Sequence, residues 1–467
     1  MTVIPSIVLA AFSAATSAGA FASSNHSTDN AAEKTGGGTT VFATGRNAFS
    51  FPAANLTDEE RTRFVIGNSF FKRNWVQAPA STTARDGLGP HFIARSCGGC
   101  HVNDGRGAPP MQAGEQPVGL LMRLSVPGEG AHGGVMPEPT YGDQFNNFAV
   151  QGVRPEGKVN VSYTPVKGRF ADGTAYTLQQ PAYAFSDLGY GPMAKGTLVS
   201  PRIAPQIIGV GLLEAIPASE IEANAAAQQA APGPIKGRIN RVWDATVGEK
   251  RPGRFGWKAN VASIAHQTAG AFNGDIGITS SVFPAEACTP AQMDCLATPK
   301  GAEGKAPEID DKTLSDVVFY QATLAPPARR NLTEKRVRRG EKLFHAADCA
   351  TCHRPSYVTG VSAHSPALAQ QRIHPYTDLL LHDMGDGLAD RRTDGQANGK
   401  QWKTPPLWGV GLIRDVNQHS RLLHDGRANG VLEAVLWHGG EAEASKQRVL
   451  MMPKADREAL VKFVESL

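Results

Sequence analysis

The first clear helical pattern begins near residue 57. Thr57 is followed three residues later by Glu60, which is the spacing of a capping box, where each side chain satisfies a backbone amide of the other residue. Apolar residues then recur at Phe64, Val65, Ile66, Phe70 and Phe71. The pattern predicts a helix that begins after Thr57 and leads toward residue 97.

Residues 105–200 have a different pattern. They are rich in Gly and Pro, and their apolar residues alternate with polar ones at 159–163 and 175–178. Alternation with a period of two predicts short strands joined by loops. Residues 219–229 then predict a short helix, and Ser219 and Glu222 have the spacing of a second capping box.

The last third of the chain predicts two more helices. Residues 332–353 form the first, with Thr333 as its N-cap and with Val337, Leu343 and Phe344 on its inner face. Residues 453–467 form the second, with Pro453 near its start. Its apolar residues, at helical spacing, are Leu460, Val461, Phe463, Val464 and Leu467.

A short motif occurs twice, as Cys97-Gly98-Gly99-Cys100-His101 and as Cys349-Ala350-Thr351-Cys352-His353. The pattern C-x-x-C-H is typical of covalent c-type haem attachment. Two thiols at this spacing add to the two vinyl groups of one haem, and the histidine binds the iron. The alternatives are a zinc site, which would need both cysteine pairs to meet, and a thioredoxin-like dithiol, which would need a βαβ pattern that is not apparent.

These patterns predict a mainly α fold with many loops and short strands, built as two cytochrome c-like haem domains. A helix that ends in the motif and a closing amphipathic helix frame a class I cytochrome c-like domain at 329–467. The N-terminal haem domain, with insertions, occupies 55–328. A signal peptide at 1–22 and a flexible linker at 23–54 precede it.

The N-terminus and the remaining cysteines favour an exported protein. Residues 4–22 are small or apolar, carry no charge and end in the cleavage pattern Ala20-Phe21-Ala22, although no Lys or Arg precedes them. A membrane anchor is the alternative, but Ser, Thr, Gly and Pro weaken this stretch as a spanning helix. Cys288 and Cys295 predict a local disulfide, which fits the periplasm. Lys and Arg (47) nearly balance Asp and Glu (43), so nucleic acid is not indicated.

An internal repeat relates the two halves. Residues 205–213, Pro-Gln-Ile-Ile-Gly-Val-Gly-Leu-Leu, parallel residues 405–413, Pro-Pro-Leu-Trp-Gly-Val-Gly-Leu-Ile. Each copy lies downstream of its own C-x-x-C-H motif. A duplication of one haem domain, with large insertions in the first copy, explains this pattern, and coincidence between two turns rich in Gly and Pro is the alternative.

The second half resembles that of bacterial dihaem cytochrome c peroxidases and of their relatives that mature methylamine dehydrogenase. The resemblance rests on residues 402–409, on Leu423-His424-Asp425-Gly426-Arg427-Ala428 and on residues 432–440. More narrowly, the chain from about residue 55 resembles the di-haem oxidoreductase family, once called thiol oxidoreductases. The segments that carry this resemblance are residues 87–90, 96–107, 211–217, 274–279 and 376–390.

The motif and the resemblance together imply a set of iron ligands. His101 and His353 are the ligands that the motifs supply. In the peroxidases a Met after the Leu-Glu-x-Ala-Val turn binds the second haem, and here the matching residue is His438. A haem bound by His353 and His438 would have a lower potential, because Met ligation raises it. The rival ligands are Met384, Met451 and Met452.

The first haem lies in the half that is reactive in the related enzymes. Glu214, just after the first repeat segment, is the predicted acid/base residue for peroxide chemistry, and an ordinary carboxylate at a helix end is the alternative. His266 and His91 are candidate ligands for the open side of this haem. Other residues predicted to contact haem propionates or to order the loops are His382, His424, Arg106, Arg202 and Arg427.

The resemblance implies a periplasmic oxidoreductase that passes electrons from a small soluble donor protein, through the C-terminal haem, to a reactive N-terminal haem. The substrate is peroxide or another small molecule. A non-catalytic electron carrier and a dihaem oxygenase are the alternatives. The basic residues between Arg329 and Lys342 either dock an acidic donor or form a solvated helix face. Calcium between the domains is a further expectation from the relatives, although no calcium loop is recognisable.

Overall fold

The computed structural model describes residues 32–82, 84–112, 114–299 and 307–467. The predicted signal peptide and the first part of the predicted linker lie outside the described residues. Residues 32–54 differ from the predicted flexible linker, because they pack against the rest of the chain. Phe49 is fully buried, and Val41 pairs with Pro327 in a β-bridge.

The described residues contain twelve α-helices. In chain order they are α1 (Asp58–Lys72), α2 (Cys97–Cys100), α3 (Val210–Glu214), α4 (Ala218–Ala230), α5 (Ile264–Ala271), α6 (Met293–Leu296), α7 (Asp311–Ala322), α8 (Lys335–Ala346), α9 (Ile413–Asn417), α10 (Val431–Leu436), α11 (Glu443–Met451) and α12 (Lys454–Ser466). A π-helical turn, Phe272–Ile276, directly follows α5. None of the helices in the described part of the chain has the length and apolar character that a membrane crossing requires.

The strands pair in antiparallel fashion. They are β1 (His91–Phe92), β2 (Leu120–Glu129), β3 (Val135–Met136), β4 (Gln144–Phe145), β5 (Phe148–Ala149), β6 (Lys158–Arg169), β7 (Ala175–Ser186), β8 (Leu198–Ile203), β9 (Arg241–Asp244), β10 (Glu249–Pro252), β11 (Tyr357–Val358), β12 (Arg372–Ile373), β13 (Leu381–Asp383), β14 (Gln401–Lys403), β15 (Arg421–Leu422) and β16 (Ala428–Asn429). β2 pairs with β3, β4 and β8, and β6 pairs with β7 along twelve residues of each strand. The two predicted strands are therefore confirmed and are longer than expected.

A close helix crossing organises the first half. Gly67 of α1 faces α7, and a Cβ atom at this position would lie 2.1 Å from the carbonyl oxygen of Asp316. The predicted capping box is confirmed: Thr57 Oγ1 accepts from the Glu60 amide at 3.3 Å, and Glu60 accepts from the Thr57 amide. Helix α1 leads to the first motif and α7 closes this half.

The second half repeats the crossing with α8 and α12. A Cβ atom at Gly340 of α8 would lie 1.9 Å from the carbonyl oxygen of Ala459 in α12. Helix α12 begins after Pro453, as predicted. The residues predicted to face inward are confirmed as buried at Leu460, Phe463, Val464 and Leu467.

Two details of the predicted helices are wrong. Helix α8 begins after Glu334 rather than Thr333 and ends at Ala346, because Asp348 adopts a φ of 60° and the motif then forms a separate 3-10 turn. Helix α4 begins one residue earlier than predicted, after Pro217. Its first turn therefore includes Ser219, which makes no capping hydrogen bond.

The two repeat segments contact each other. Gly209 and Gly409 both have positive φ, at 67° and 72°, as their turns require. A Cβ atom at Gly209 would lie 2.3 Å from the Trp408 ring, and one at Gly409 would lie 2.7 Å from Ile208. The Gly209 amide donates to a carbonyl just after α7, and the Gly409 amide donates to the carbonyl of Leu467 just after α12. Each repeat segment therefore contacts the end of the last helix of its own half.

The helix crossings provide a stability prediction. Ala favours helices over Gly by about 1 kcal/mol, yet Gly340→Ala should lower the free energy of unfolding by about 1–3 kcal/mol, because overpacking costs that much. Urea titration followed by circular dichroism measures it. The control is Gly270→Ala in α5, whose Cβ would meet Phe283 only at 3.8 Å. Equal effects of the two substitutions would contradict the close crossing.

Candidate functional site

The first motif presents its histidine in one orientation. Helix α2 contains both cysteines, and the His101 amide donates to the Cys97 carbonyl at 2.9 Å. The ring Nδ1–H of His101 donates to the carbonyl of Pro205 at 2.7 Å. Since a carbonyl only accepts, Nε2 is left with its lone pair, which is how histidines that bind metals are usually oriented.

The second motif repeats this orientation. The His353 amide donates to the Cys349 carbonyl at 3.0 Å, and the ring Nδ1–H donates to the carbonyl of Tyr376 at 3.0 Å. The ring centres of Phe344 and His353 lie 6.2 Å apart, and those of Phe71 and His101 at the first motif lie the same distance apart. Burial lowers the pKa of His353 to about 4, which keeps its imidazole neutral and able to bind a metal.

The cysteine pairs lie apart from each other. Burial raises the pKa of Cys97 and of Cys349 to about 12, which disfavours the free thiolate that thiol redox chemistry uses. Among the described residues, the one cluster of potential metal ligands contains Cys352 with Asp378 and His382. The four-cysteine zinc alternative therefore has no support.

A large cavity lies over the second motif. It has an empty volume of about 1410 Å³, its open mouth included. The lining contains the motif residues Cys349, Cys352 and His353 together with His438. Apolar side chains form much of the rest, namely Phe344, Leu407, Val410, Leu422, Val431, Val435, Leu460 and Val464.

Cationic and polar groups also line this cavity. Burial lowers the pKa of Arg106 to about 9 and that of Lys403 to about 8. Arg106 Nε and His424 Nε2 are buried and have no hydrogen-bond partner in the described structure. A haem is a flat apolar ring with two carboxylate groups. It fits an apolar cavity that contains buried cationic side chains and polar atoms without hydrogen-bond partners. Arg106 and Lys403 would contact these carboxylates.

His438 has the orientation of the motif histidines. Its Nδ1–H donates to the carbonyl of Ala434 at 2.7 Å, which leaves Nε2 free. Burial lowers the pKa of His438, so this imidazole is neutral as well. Met384 lines the same cavity, whereas Met451, which is exposed, and Met452 are not part of the lining. His438 and Met384 are thus the two candidates that the structure brings to His353.

Glu214 lies at the junction of three segments. Its Oε1 accepts from the Ile264 amide at 2.8 Å at the start of α5, and Oε2 pairs with His364 Nε2. Arg254 donates to the backbone carbonyl of Glu214 at 2.9 Å. These contacts connect the end of α3 to α5 and to the loop that holds His364. The acid/base role of Glu214 stays a prediction.

The other candidate histidines are engaged by neighbours. His91 Nε2 lies 2.9 Å from the Arg154 carbonyl and 3.0 Å from the Tyr190 hydroxyl. His266 Nδ1 accepts from the Ala245 amide at 3.3 Å. Neither contact involves the first motif.

Asp275 is the carboxylate that sequence reasoning missed. Burial is the largest cause of the raised pKa of Cys97 and of Cys100, and the charge of Asp275 is the second largest. At His101 burial lowers the pKa, and the charge of Asp275 acts in the opposite direction. It therefore lies within electrostatic reach of the whole first motif. The available signal was its position in residues 274–279, one of the segments that carry the family resemblance.

The loop after His101 reaches into the second half. The Arg106 amide donates to Asn417 Oδ1 at 2.9 Å, and Asn417 Nδ2 donates to the carbonyl of Val102 at 2.7 Å. The Arg106 guanidinium lies over Trp257, 5.0 Å from its ring centre, and both side chains line the cavity at the second motif. One loop thus connects the first motif to the second site.

Two other arginines predicted to contact propionates already have carboxylate partners. Arg202 pairs with Asp394 at 2.7 Å, and Arg427 pairs with Asp425 at 2.8 Å. Of the three predicted arginines, Arg106 alone lines the cavity.

The basic residues of α8 are partly neutralised. Arg336 pairs with Glu458, and Arg339 pairs with Asp456, both contributed by α12. Arg329 pairs with Glu341 at 3.0 Å. The positive surface predicted from the sequence is therefore smaller than the count of basic residues indicates.

Comparison with known families gives one result. The model of the family described as "Di-haem oxidoreductase, putative peroxidase" matches residues 29–467. Searches of curated proteins and of solved structures found no match.

His382 provides a prediction for pH. Burial alone would lower its pKa, but Asp378, at 2.8 Å from Nε2, and Glu441, at 2.7 Å from Nδ1, raise it well above the usual value. Protonated His382 therefore stabilises the folded state. This contribution is complete below about pH 6.5, the pKa of a histidine in the unfolded chain, and it is lost as the pH rises through the raised pKa of the folded state. His382→Gln should remove this decline in the free energy of unfolding, as urea titrations between pH 5.5 and 9 would show. The exposed His345→Gln is the control and should keep the decline in the free energy of unfolding with rising pH. If His382→Gln shows the same decline as this control, the assignment to His382 is wrong.

Proposed function

Because the chain belongs to the di-haem oxidoreductase family, we propose that it is a periplasmic c-type dihaem oxidoreductase of the peroxidase type. His353 would hold one haem, through which electrons from a small soluble donor protein would enter. His101 would hold the other, at which peroxide would be reduced or a small molecule oxidised. When bound, the haems supply one-electron chemistry that no side chain provides.

The observation that carries this proposal is a difference between the two motifs. The second motif shares its cavity with His438, whose Nε2 is free, so two imidazoles are available to one iron. His438 is among the groups that act electrostatically on His353, whereas the side chains that act in this way on His101 are the carboxylates Asp275 and Asp104. An iron with two histidine ligands suits electron entry. An iron with an open position suits substrate chemistry.

The chain's own residues have distinct parts in this proposal. The carbonyls of Pro205 and Tyr376 orient His101 and His353. Arg106 and Lys403 hold the propionates of the second haem. The predicted two cytochrome c-like domains, with a boundary near residue 328, are supported by the paired crossings at Gly67 and Gly340.

The proposed location has one structural support. Cys288 and Cys295 form a disulfide bond, and such bonds persist in oxidising compartments such as the periplasm. An acidic donor protein that docks on α8 would contact the basic residues of this helix that form no ion pair with α12. Calcium stays an expectation from the relatives, and no described contact supports it.

One observation favours the oxygenase alternative. A second cavity, of about 1130 Å³ with its open mouth, borders Gly99 of the first motif. Its lining includes the apolar side chains of Leu88, Phe92, Ile93, Phe148 and Val150. An apolar substrate would fit this lining, whereas peroxide needs no such surface. Product analysis with dioxygen or with peroxide as the oxidant distinguishes the two reactions.

Covalent attachment leads to a mass prediction. The mature protein should exceed the mass of its chain by two haems, and Cys349→Ala/Cys352→Ala should reduce the excess to one. Intact-mass spectrometry under denaturing conditions measures the excess. Cys288→Ala/Cys295→Ala is the control and should keep both haems. Loss of all haem under denaturation would contradict c-type attachment.

The ligand of the second haem leads to a potential prediction. His438→Met should raise the midpoint potential of this haem by on the order of 0.1 V, within the roughly 0.8 V range that axial ligands span. Met384→Leu should leave the potential unchanged. Optical redox titration measures both. A shift caused by Met384→Leu alone would assign the ligand to Met384 instead.

Electron paramagnetic resonance separates the enzyme from the electron carrier. A high-spin ferric signal, in the oxidised or half-reduced protein, is expected from an open first haem. Its complete absence in both states would mean two capped irons and would favour the electron carrier.

A further inference from the structure

Asp275 is held firmly beside the first motif. It lies in the π-helical turn Phe272–Ile276, and such turns are frequent at functional sites. Its backbone carbonyl accepts from the Ile93 amide at 2.8 Å, four residues before Cys97. This hydrogen bond connects the turn to the segment between β1 and the motif.

The carboxylate of Asp275 has a specific polar partner. Gln144 Nε2 donates to Asp275 Oδ1 at 2.9 Å and to the Gly274 carbonyl at 2.8 Å. Gln144 is almost fully buried, at 3% exposure. The charged groups that act on Asp275 are Arg123, His101 and Asp143, and burial raises its pKa while Arg123 opposes the rise.

The internal repeat indicates on which side of the motif Asp275 lies. Helix α10, which precedes His438, packs against the closing helix α12 of the second half. Helix α5, which precedes Asp275, packs against the closing helix α7 of the first half. The segment that supplies the second imidazole at His353 therefore corresponds to the segment that supplies a carboxylate at His101.

We propose that Asp275, oriented by Gln144, is the catalytic acid/base residue on the open side of the first haem. This inference rests on the proposed function. Hydrogen peroxide, two electrons from two reduced donor proteins and two solvent protons give two water molecules. Asp275 takes the proton from one peroxide oxygen and delivers it to the other, which leaves as water when the O–O bond breaks.

The test measures cyanide binding and peroxide turnover by the holoprotein. Hydrogen cyanide must lose its proton when it binds ferric iron, so a nearby base accelerates its association. In Asp275→Asn, both the cyanide association rate and kcat/KM for peroxide should fall about 10²-fold or more, as expected for a positioned acid/base group. The neutral ligand imidazole should bind as it does to the unaltered protein. Asp187→Asn, an exposed carboxylate paired with Lys158 at 2.9 Å, is the control and should keep both rates.

Each outcome has a defined meaning. Unchanged rates in Asp275→Asn would overturn the assignment, and slowing in Glu214→Gln alone would transfer the role to Glu214. If Asp275→Asn does not fold, Gln144→Leu replaces it: slowing of both rates supports the proposal, and unchanged rates overturn it. Absence of cyanide binding and peroxide turnover in the unaltered protein would instead contradict the proposed function.

Discussion

Two helix crossings, each made possible by a glycine, determine where the C-x-x-C-H motifs lie. At Gly67 and Gly340 the opposing backbone is so close that a single added carbon would overlap a carbonyl oxygen. The helix before each motif is thereby held against a helix that closes the same half. Phe71 of α1 and Phe344 of α8 each pack against the histidine of their motif, with ring centres 6.2 Å apart. Because packed interiors tolerate little displacement, the crossings also restrain where His101 and His353 lie.

The two halves share this framework and differ in what faces the motif. The second half supplies His438, an imidazole that burial keeps neutral. The first half supplies Asp275, a carboxylate whose burial is costly unless polar groups compensate it. Gln144 and Arg123 provide that compensation. Polar partners arranged in this way around one partly buried carboxylate are more typical of reactive sites than of structural ones.

Local patterns predicted much of the fold. The capping box at Thr57, the closing helix after Pro453 and the disulfide between Cys288 and Cys295 all depend on residues close in sequence. What local patterns did not show depends on tertiary contacts. Glu214 meets His364, 150 residues away, and no spacing rule reports such a pair. Asp275 has no local motif that marks it, and its importance appears only when Gln144 and the first motif are seen beside it.

The loop after His101 is completed by Asn417, more than 300 residues later in the chain. Contacts between such distant residues slow folding, because a long chain must close before they form. Until then the first motif lacks its final surroundings, and its thiols are accessible. In the closed fold Cys97 is half-buried, and burial raises the pKa of its thiol to about 12, which disfavours the reactive thiolate. The slow closure thus gives the cell an interval in which a haem can be joined to the chain, and an assembly factor would act on the open chain rather than on the finished protein.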